Sequence, residues 1–157
     1  MLGYQRLTND KLRIFLGLGA LFVTTAFIVI GVQKHVAQNQ DAARLADIRS
    51  LLNAAKNQQV DNEGDYLENI ENAAPGVLYL IGTSSEDCTR SCIGLQTNSA
   101  CLDLSTLSST GYLQEIPFDP AHGDPRQTGY YLIRKATEEL EIGACQSSSE
   151  QKLSVSR

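Results

Sequence analysis

The sequence predicts an α+β protein in which one long N-terminal helix packs against a small antiparallel sheet. Three observations predict it. Residues 14–32 contain no charged side chain. Residues 33–59 contain neither Pro nor Gly and repeat apolar residues at steps of three and four. Three later segments are apolar or alternating between turn signals, and all four cysteines lie in the same half of the chain.

The helix comes first. The run from Ile14 to Val32 has 19 residues. As a helix it spans roughly 28 Å, close to the thickness of a hydrocarbon core. It is longer than the apolar part of a signal peptide, and no good small-residue cleavage pattern follows it, so it is read as a retained anchor. Arg6, Lys11 and Arg13 precede it with one acid, Asp10. That flank predicts a cytoplasmic N-terminus in a single-pass membrane protein. Thr24 and Thr25 are the only polar side chains in the run and can bond back to helix carbonyls.

The helical pattern then continues. Val36, Leu45, Ile48, Leu51, Leu52 and Ala55 form one apolar stripe on a polar helix. Asp41 and Arg44, three apart, are expected to pair along its exposed face. Gly64 in "DNEGDY" is the stop signal. The predicted organisation is a cytoplasmic segment 1–13, a transmembrane helix 14–32, its amphipathic continuation 33–62, a disulfide-bearing head 63–145 and a flexible tail 146–157.

Within the head, residues 67–73 predict a short helical piece before Pro75-Gly76. "VLYLI" at 77–81 predicts a buried strand. Residues 82–100 are a polar, cysteine-bearing loop. "CLDLSTL" predicts a helical turn that Asp103 or Ser105 can cap. Residues 111–129, with Pro117, Pro120 and Pro125, are a connection of turns. Residues 130–134 and 140–145 predict two strands joined around 136–138. In the second, Leu140, Ile142 and Ala144 alternate with Glu139, Glu141 and Gly143, so one face is expected buried and one wet.

Charge and composition narrow the function. From residue 33 onward the chain carries ten Lys/Arg and seventeen Asp/Glu, a net of −7, against +2 for the first 13 residues. So acidic an exterior argues against nucleic-acid binding and against anionic lipid as the main partner. No catalytic constellation stands out: His35 and His122 are far apart and no GxSxG occurs. The reading is of a protein that is not an enzyme and needs no cofactor.

Cys88, Cys92, Cys101 and Cys145 all fall in the part placed outside the membrane. An even number of cysteines in a small exported domain reads as disulfides, with three connectivities open. Metal binding is the rival reading, and no histidine lies near the Cys88-x3-Cys92 pair. The expected pairing is Cys101–Cys145 with Cys88–Cys92. Pairing of Cys145 with Cys88 or Cys92 stays open. "DPAHGDP" is the one candidate ion site, in which Asp119, Asp124 and loop carbonyls would hold calcium. Consecutive turns built by Asp and Pro are the simpler explanation.

Three blocks carry a family resemblance: "NQDAARLADIRSLLNAA" (39–55) followed by "NEGDY", "ACLDLSTLSSTGYLQEIPFDP" (100–120), and "TGYYLIRKATEELEIGAC" (128–145). In order and spacing they resemble the type IV pilin and type II secretion pseudopilin superfamily over about two thirds of the chain. The resemblance implies a pilin-like fold and a structural, non-catalytic role. It implies filament or homo-oligomer formation with other pilin-like subunits through the N-terminal helix, and an extracytoplasmic or extracellular head. Major pseudopilins of type II secretion bind calcium in a C-terminal loop, which this loop does not match residue by residue. The sequence departs from the family at its start. Family precursors carry a glycine, then a hydrophobic residue that becomes N-methylated, then a glutamate inside the apolar run. Here residues 9–13 stand in that place, and Arg13 falls where the glutamate is expected. The alternative reading is therefore a permanently anchored binding or adhesion module with the same head.

Overall fold

The computed structural model describes residues 3–85, 88, 92, 100–148 and 152–157, with residues 3–31 described as helix backbone alone. Seven elements follow in order: helix α1 (Gly3–Asp61), helix α2 (Glu68–Glu71), strand β1 (Leu78–Leu80), helix α3 (Ser105–Ser109), and strands β2 (Tyr130–Arg134), β3 (Leu140–Ala144) and β4 (Ser154–Ser156). The chain divides into two compact units, Met1–Gln38 and Asn39–Arg157. The first is helix; the second carries the sheet and both cores.

α1 contains no proline, and no glycine after Gly31, so its second half holds no residue that breaks a helix. Its end is set by two left-handed residues, Glu63 (φ 58°) and Gly64 (φ 107°). The Gly64 amide donates to the Gln59 carbonyl and the Asn62 amide to Gln58, so the last turn's acceptors are satisfied as the chain reverses. Glycine tolerates that conformation without a Cβ penalty.

The expected stripe is found over its second half. Ile48, Leu51, Leu52 and Ala55 are buried, with Ala54 added, and Leu45 is partly buried against them. Val36, expected on the stripe, is 50 % exposed. It belongs to the helical unit that ends at Gln38. Val32, the last residue of the predicted anchor, is likewise exposed. The side chains of 14–31 lie outside the described residues. Among the described residues no helix is long and apolar enough to cross a membrane.

The sheet is antiparallel throughout, in the order β1-β2-β3-β4. Its register pairs Leu80 with Tyr131, Leu132 with Ile142, and Ile142 with Val155. One face carries Tyr130, Leu132, Leu140, Ile142 and Ala144, which join the α1 stripe, Tyr66, Ile70 and Leu107 in the main core. Burying one such leucine contributes about 2 kcal/mol. The opposite face was expected to be wet along β3 only, where Glu141 is half-buried, and β1 was expected to be buried. There Leu78, Leu80 and Tyr131 form a second buried cluster with Cys88 and Cys92. The sheet thus packs against the helix on one side and, among the described residues, against Cys88 and Cys92 on the other.

The tail also differs from expectation. Ser154–Ser156 pair with β3, and Leu153 and Val155 pack against the main core. Lys152 reaches Glu141 at 2.6 Å and lies over the Tyr131 ring. A polar stretch becomes a strand because two apolar residues two apart face the same way across β3.

α2 and α3 are where the sequence places helical turns, and the Asp103 carboxylate accepts from the Ser105 amide at the start of α3. The β2–β3 connection turns at Glu138 (φ 63°), whose carboxylate pairs with Arg134.

Candidate functional site

Arg44, Ile48, Leu51, Ala55 and Gln58 follow one another at steps of four, three, four and three, so they share a helix face. All five are buried. The face therefore begins on an arginine and ends on a glutamine. Gln58 Oε1 is the one buried side-chain oxygen without a hydrogen-bond partner among the described residues.

Arg44 is only 2 % exposed, as is Asp119. Arg44 Nε donates to Asp119 Oδ2 at 2.6 Å and its second terminal nitrogen to Oδ1 at 3.2 Å, a two-point fork. Its other terminal nitrogen donates to Asp41 Oδ1 at 2.8 Å. The Asp41 carboxylate in turn accepts the Ser148 amide. One guanidinium thus ties α1 to the 119–128 loop and to the segment after β3. The surface pair expected between Asp41 and Arg44 exists, but Arg44 points inward and has a second, buried partner.

The loop is shaped to present Asp119. Its amide donates to the Thr128 carbonyl, and its carbonyl accepts the Gly123 amide. Its carboxylate also accepts the Ala121 and His122 amides. Burial by itself would raise the Asp119 pKa. The Arg44 bonds, those two amides and the arginine's charge outweigh it and hold the carboxyl below its ordinary range. Asp41 is lowered in the same way, with the Ser148 amide and Arg44 overcoming burial. Arg44 is raised, first by its bond to Asp119.

Three residues further along the helix, Asp47 Oδ2 accepts the Tyr130 hydroxyl at 2.6 Å. Burial raises Asp47 against the effect of that bond, and the charge of Asp119 adds to the rise. Tyr130 is pushed up by burial and by the adjoining carboxylate. Chemically the cluster is a clasp: a cation shared by two carboxylates, and a third carboxylate capped by a phenol.

The proposed calcium residues are placed differently from one another. Asp119 directs its carboxylate to Arg44 and loop amides. Asp124 Oδ1 accepts the Arg126 and Gln127 amides of its own turn. Among the described residues no three His, Cys, Asp or Glu side chains gather as a metal-holding set. The bonds of both aspartates are those of ion-pairing and turn-forming residues.

All four cysteines are in disulfides, but with the pairing Cys88–Cys101 and Cys92–Cys145. This corrects the expectation of Cys101–Cys145 and Cys88–Cys92 and takes one of the alternatives left open. The sheet explains why Cys101 and Cys145 do not pair. Leu102 bridges Ile81, the Ile81 amide donates to Tyr130, and Tyr130 pairs with Ala144. Cys101 and Cys145 thus flank the two ends of a row three strand spacings wide, about 14 Å. A disulfide needs Cα atoms within about 7 Å. The observed pairs have Cα separations of 5.2 and 4.4 Å. Each cysteine of the Cys88/Cys92 pair reaches one end of the row.

Sequence reasoning missed Arg44 as a buried residue, and with it Asp47, Tyr130 and Ser148. The signal for Arg44 was present, since it stands four before Ile48 and seven before Leu51. Nothing local marks Asp119 as its partner. No family model, curated protein or solved structure matches the chain.

Proposed function

We propose that the chain is a pilin-like structural subunit of a type IV pilus or type II secretion-like filament system, anchored by residues 14–32 with its head outside the membrane. The observation that carries this reading is the long helix α1, whose second half lies in the core of a four-stranded antiparallel sheet. The quoted sequence blocks coincide with that helix segment, with α3 and its following loop, and with the β2–β3 hairpin. Two disulfides suit an extracytoplasmic head with a small core. Its partners on this reading are other pilin-like chains meeting the apolar helix in the membrane, and it performs no catalysis.

Arg13 favours a second reading, in which the same head stays permanently anchored as a binding or adhesion module. A cation where the family has a glutamate reverses the charge that would register one subunit against the next. Intact mass and N-terminal sequencing separate the two, using protein from membranes and from sheared extracellular material. A shortened, methylated N-terminus in sheared material supports the filament subunit. A full-length chain confined to membranes supports the fixed anchor and overturns the filament reading.

A further inference from the structure

A groove of about 190 Å³ opens on the head between the chain after β1, the start of α3 and the connection before β2. Its buried floor is Ile81 and Leu104, with Ile116 half-buried beside them. Phe118 stands at the edge, 43 % exposed. Two carboxylates, Asp103 and Glu115, line the same opening, and among the described residues no Lys, Arg or His does. Asp103 commits one oxygen to the Ser105 amide. Glu115 is exposed and has no hydrogen bond or ion pair among the described residues.

The groove is held open by backbone. The Thr83 amide and hydroxyl both donate to the Pro125 carbonyl, and the Ser84 amide donates to that of Arg126. Gly82 permits this approach, since a Cβ there would overlap the Arg126 carbonyl. A wall fixed in this way loses little freedom when something binds.

Size and charge define the occupant. Cavities that hold cofactors or drug-sized molecules measure about 300 Å³ or more, so this one suits a single side chain. An apolar floor with a carboxylate edge fits an aliphatic stem ending in a cation. The exposed Phe118 ring favours a planar guanidinium over an ammonium, and Glu115 can accept it in a fork. The net charge of −7 from residue 33 onward draws basic segments toward the head.

We propose that this groove binds an arginine side chain presented by a partner protein, with Phe118 stacking on the guanidinium and Glu115 pairing with it. The proposal does not depend on whether the chain assembles into filaments.

The test is a titration of the full-length, 15N-labelled chain in nonionic detergent micelles with acetyl-Leu-Arg-Leu-amide, followed by amide shifts. The expected result is saturable shifts confined to Gly82, Thr83, Ser105 and Ile116. The same peptide with neutral citrulline in place of arginine binds about fivefold more weakly, and E115Q and F118A each weaken the arginine peptide about two- to fivefold. Both substitutions are at exposed positions, so unchanged shifts elsewhere verify the fold. Absent shifts, shifts spread over the whole acidic surface, or equal binding of the citrulline peptide would overturn the proposal.

Discussion

Arg44 and Asp119 are 75 residues apart in sequence, and their side chains meet at 2.6 Å in a buried fork between α1 and the 119–128 loop. Removing one partner of such a pair leaves the other charge buried, which costs about 3–5 kcal/mol. Arg44→Met is expected to lose about 3 kcal/mol at neutral pH. Replacing both charges, as R44M/D119N, which keeps a side-chain oxygen for the Ala121 and His122 amides, should recover part of that loss. Thermal melting of the micelle-bound chain, followed through its tyrosines by near-ultraviolet circular dichroism, measures both. Equal melting of R44M and the parent would show that the pair contributes nothing.

The pH dependence has a definite sign. The pKa values of Asp119 and Asp41 are lower in the folded chain than their ordinary 3.8. Their contribution is complete above about pH 4 and is lost as pH falls through the folded values. Asp47 runs the other way. Its folded pKa is raised, so its contribution is present at low pH and disappears as pH rises through that value. Asp47→Asn keeps an acceptor for the Tyr130 hydroxyl while removing a half-buried charge. It is expected to be as stable as the parent or more stable at pH 7, and to gain nothing at pH 3. Melting at the two pH values reads this directly.

The two disulfides should differ in weight. Cys92–Cys145 spans 53 residues and Cys88–Cys101 spans 13. Loop-closure entropy then makes the longer bridge about 1 kcal/mol more stabilising. C92S/C145S is expected to melt below C88S/C101S. Non-reducing peptide mapping of the parent checks the pairing itself, and a Cys101–Cys145 peptide would contradict the fold described.

Gln58 is the opposite of a stabilising polar group. An acceptor buried without a donor carries its desolvation cost unrelieved, about 1–3 kcal/mol. Gln58→Leu, of similar size and continuous with Leu51 and Ala55 on the helix face, is expected to raise stability by about 1 kcal/mol in the same melting experiment.

These cases also mark where the sequence was legible. Periodic and punctuated elements could be read: the stripe from Ile48 to Ala55, the stop at Gly64, and the alternating residues of β3. Each depends on neighbours within a few positions, and local chemistry decides it. Apart from Val36, the misreadings involve distant partners. Arg44 looks like a surface residue until Asp119 is brought to it from another loop. The segment around Val155 looks disordered until β3 supplies its hydrogen bonds. Strand order keeps Cys101 and Cys145 apart, which spacing between cysteines does not encode. The apolar run is the reverse case, plain in the sequence, and the side chains of residues 14–31 lie outside the described residues.

The central claim is that residues 14–32 hold the chain in a membrane with the disulfide-bonded head outside. Carbonate washing of membranes, followed by protease treatment of intact cells, tests it most directly. The account predicts that the chain stays with the washed membrane. External protease then removes a fragment containing both disulfides and leaves the N-terminal segment protected. Release of the full chain by carbonate, or a head resistant to external protease until the cells are lysed, would contradict it.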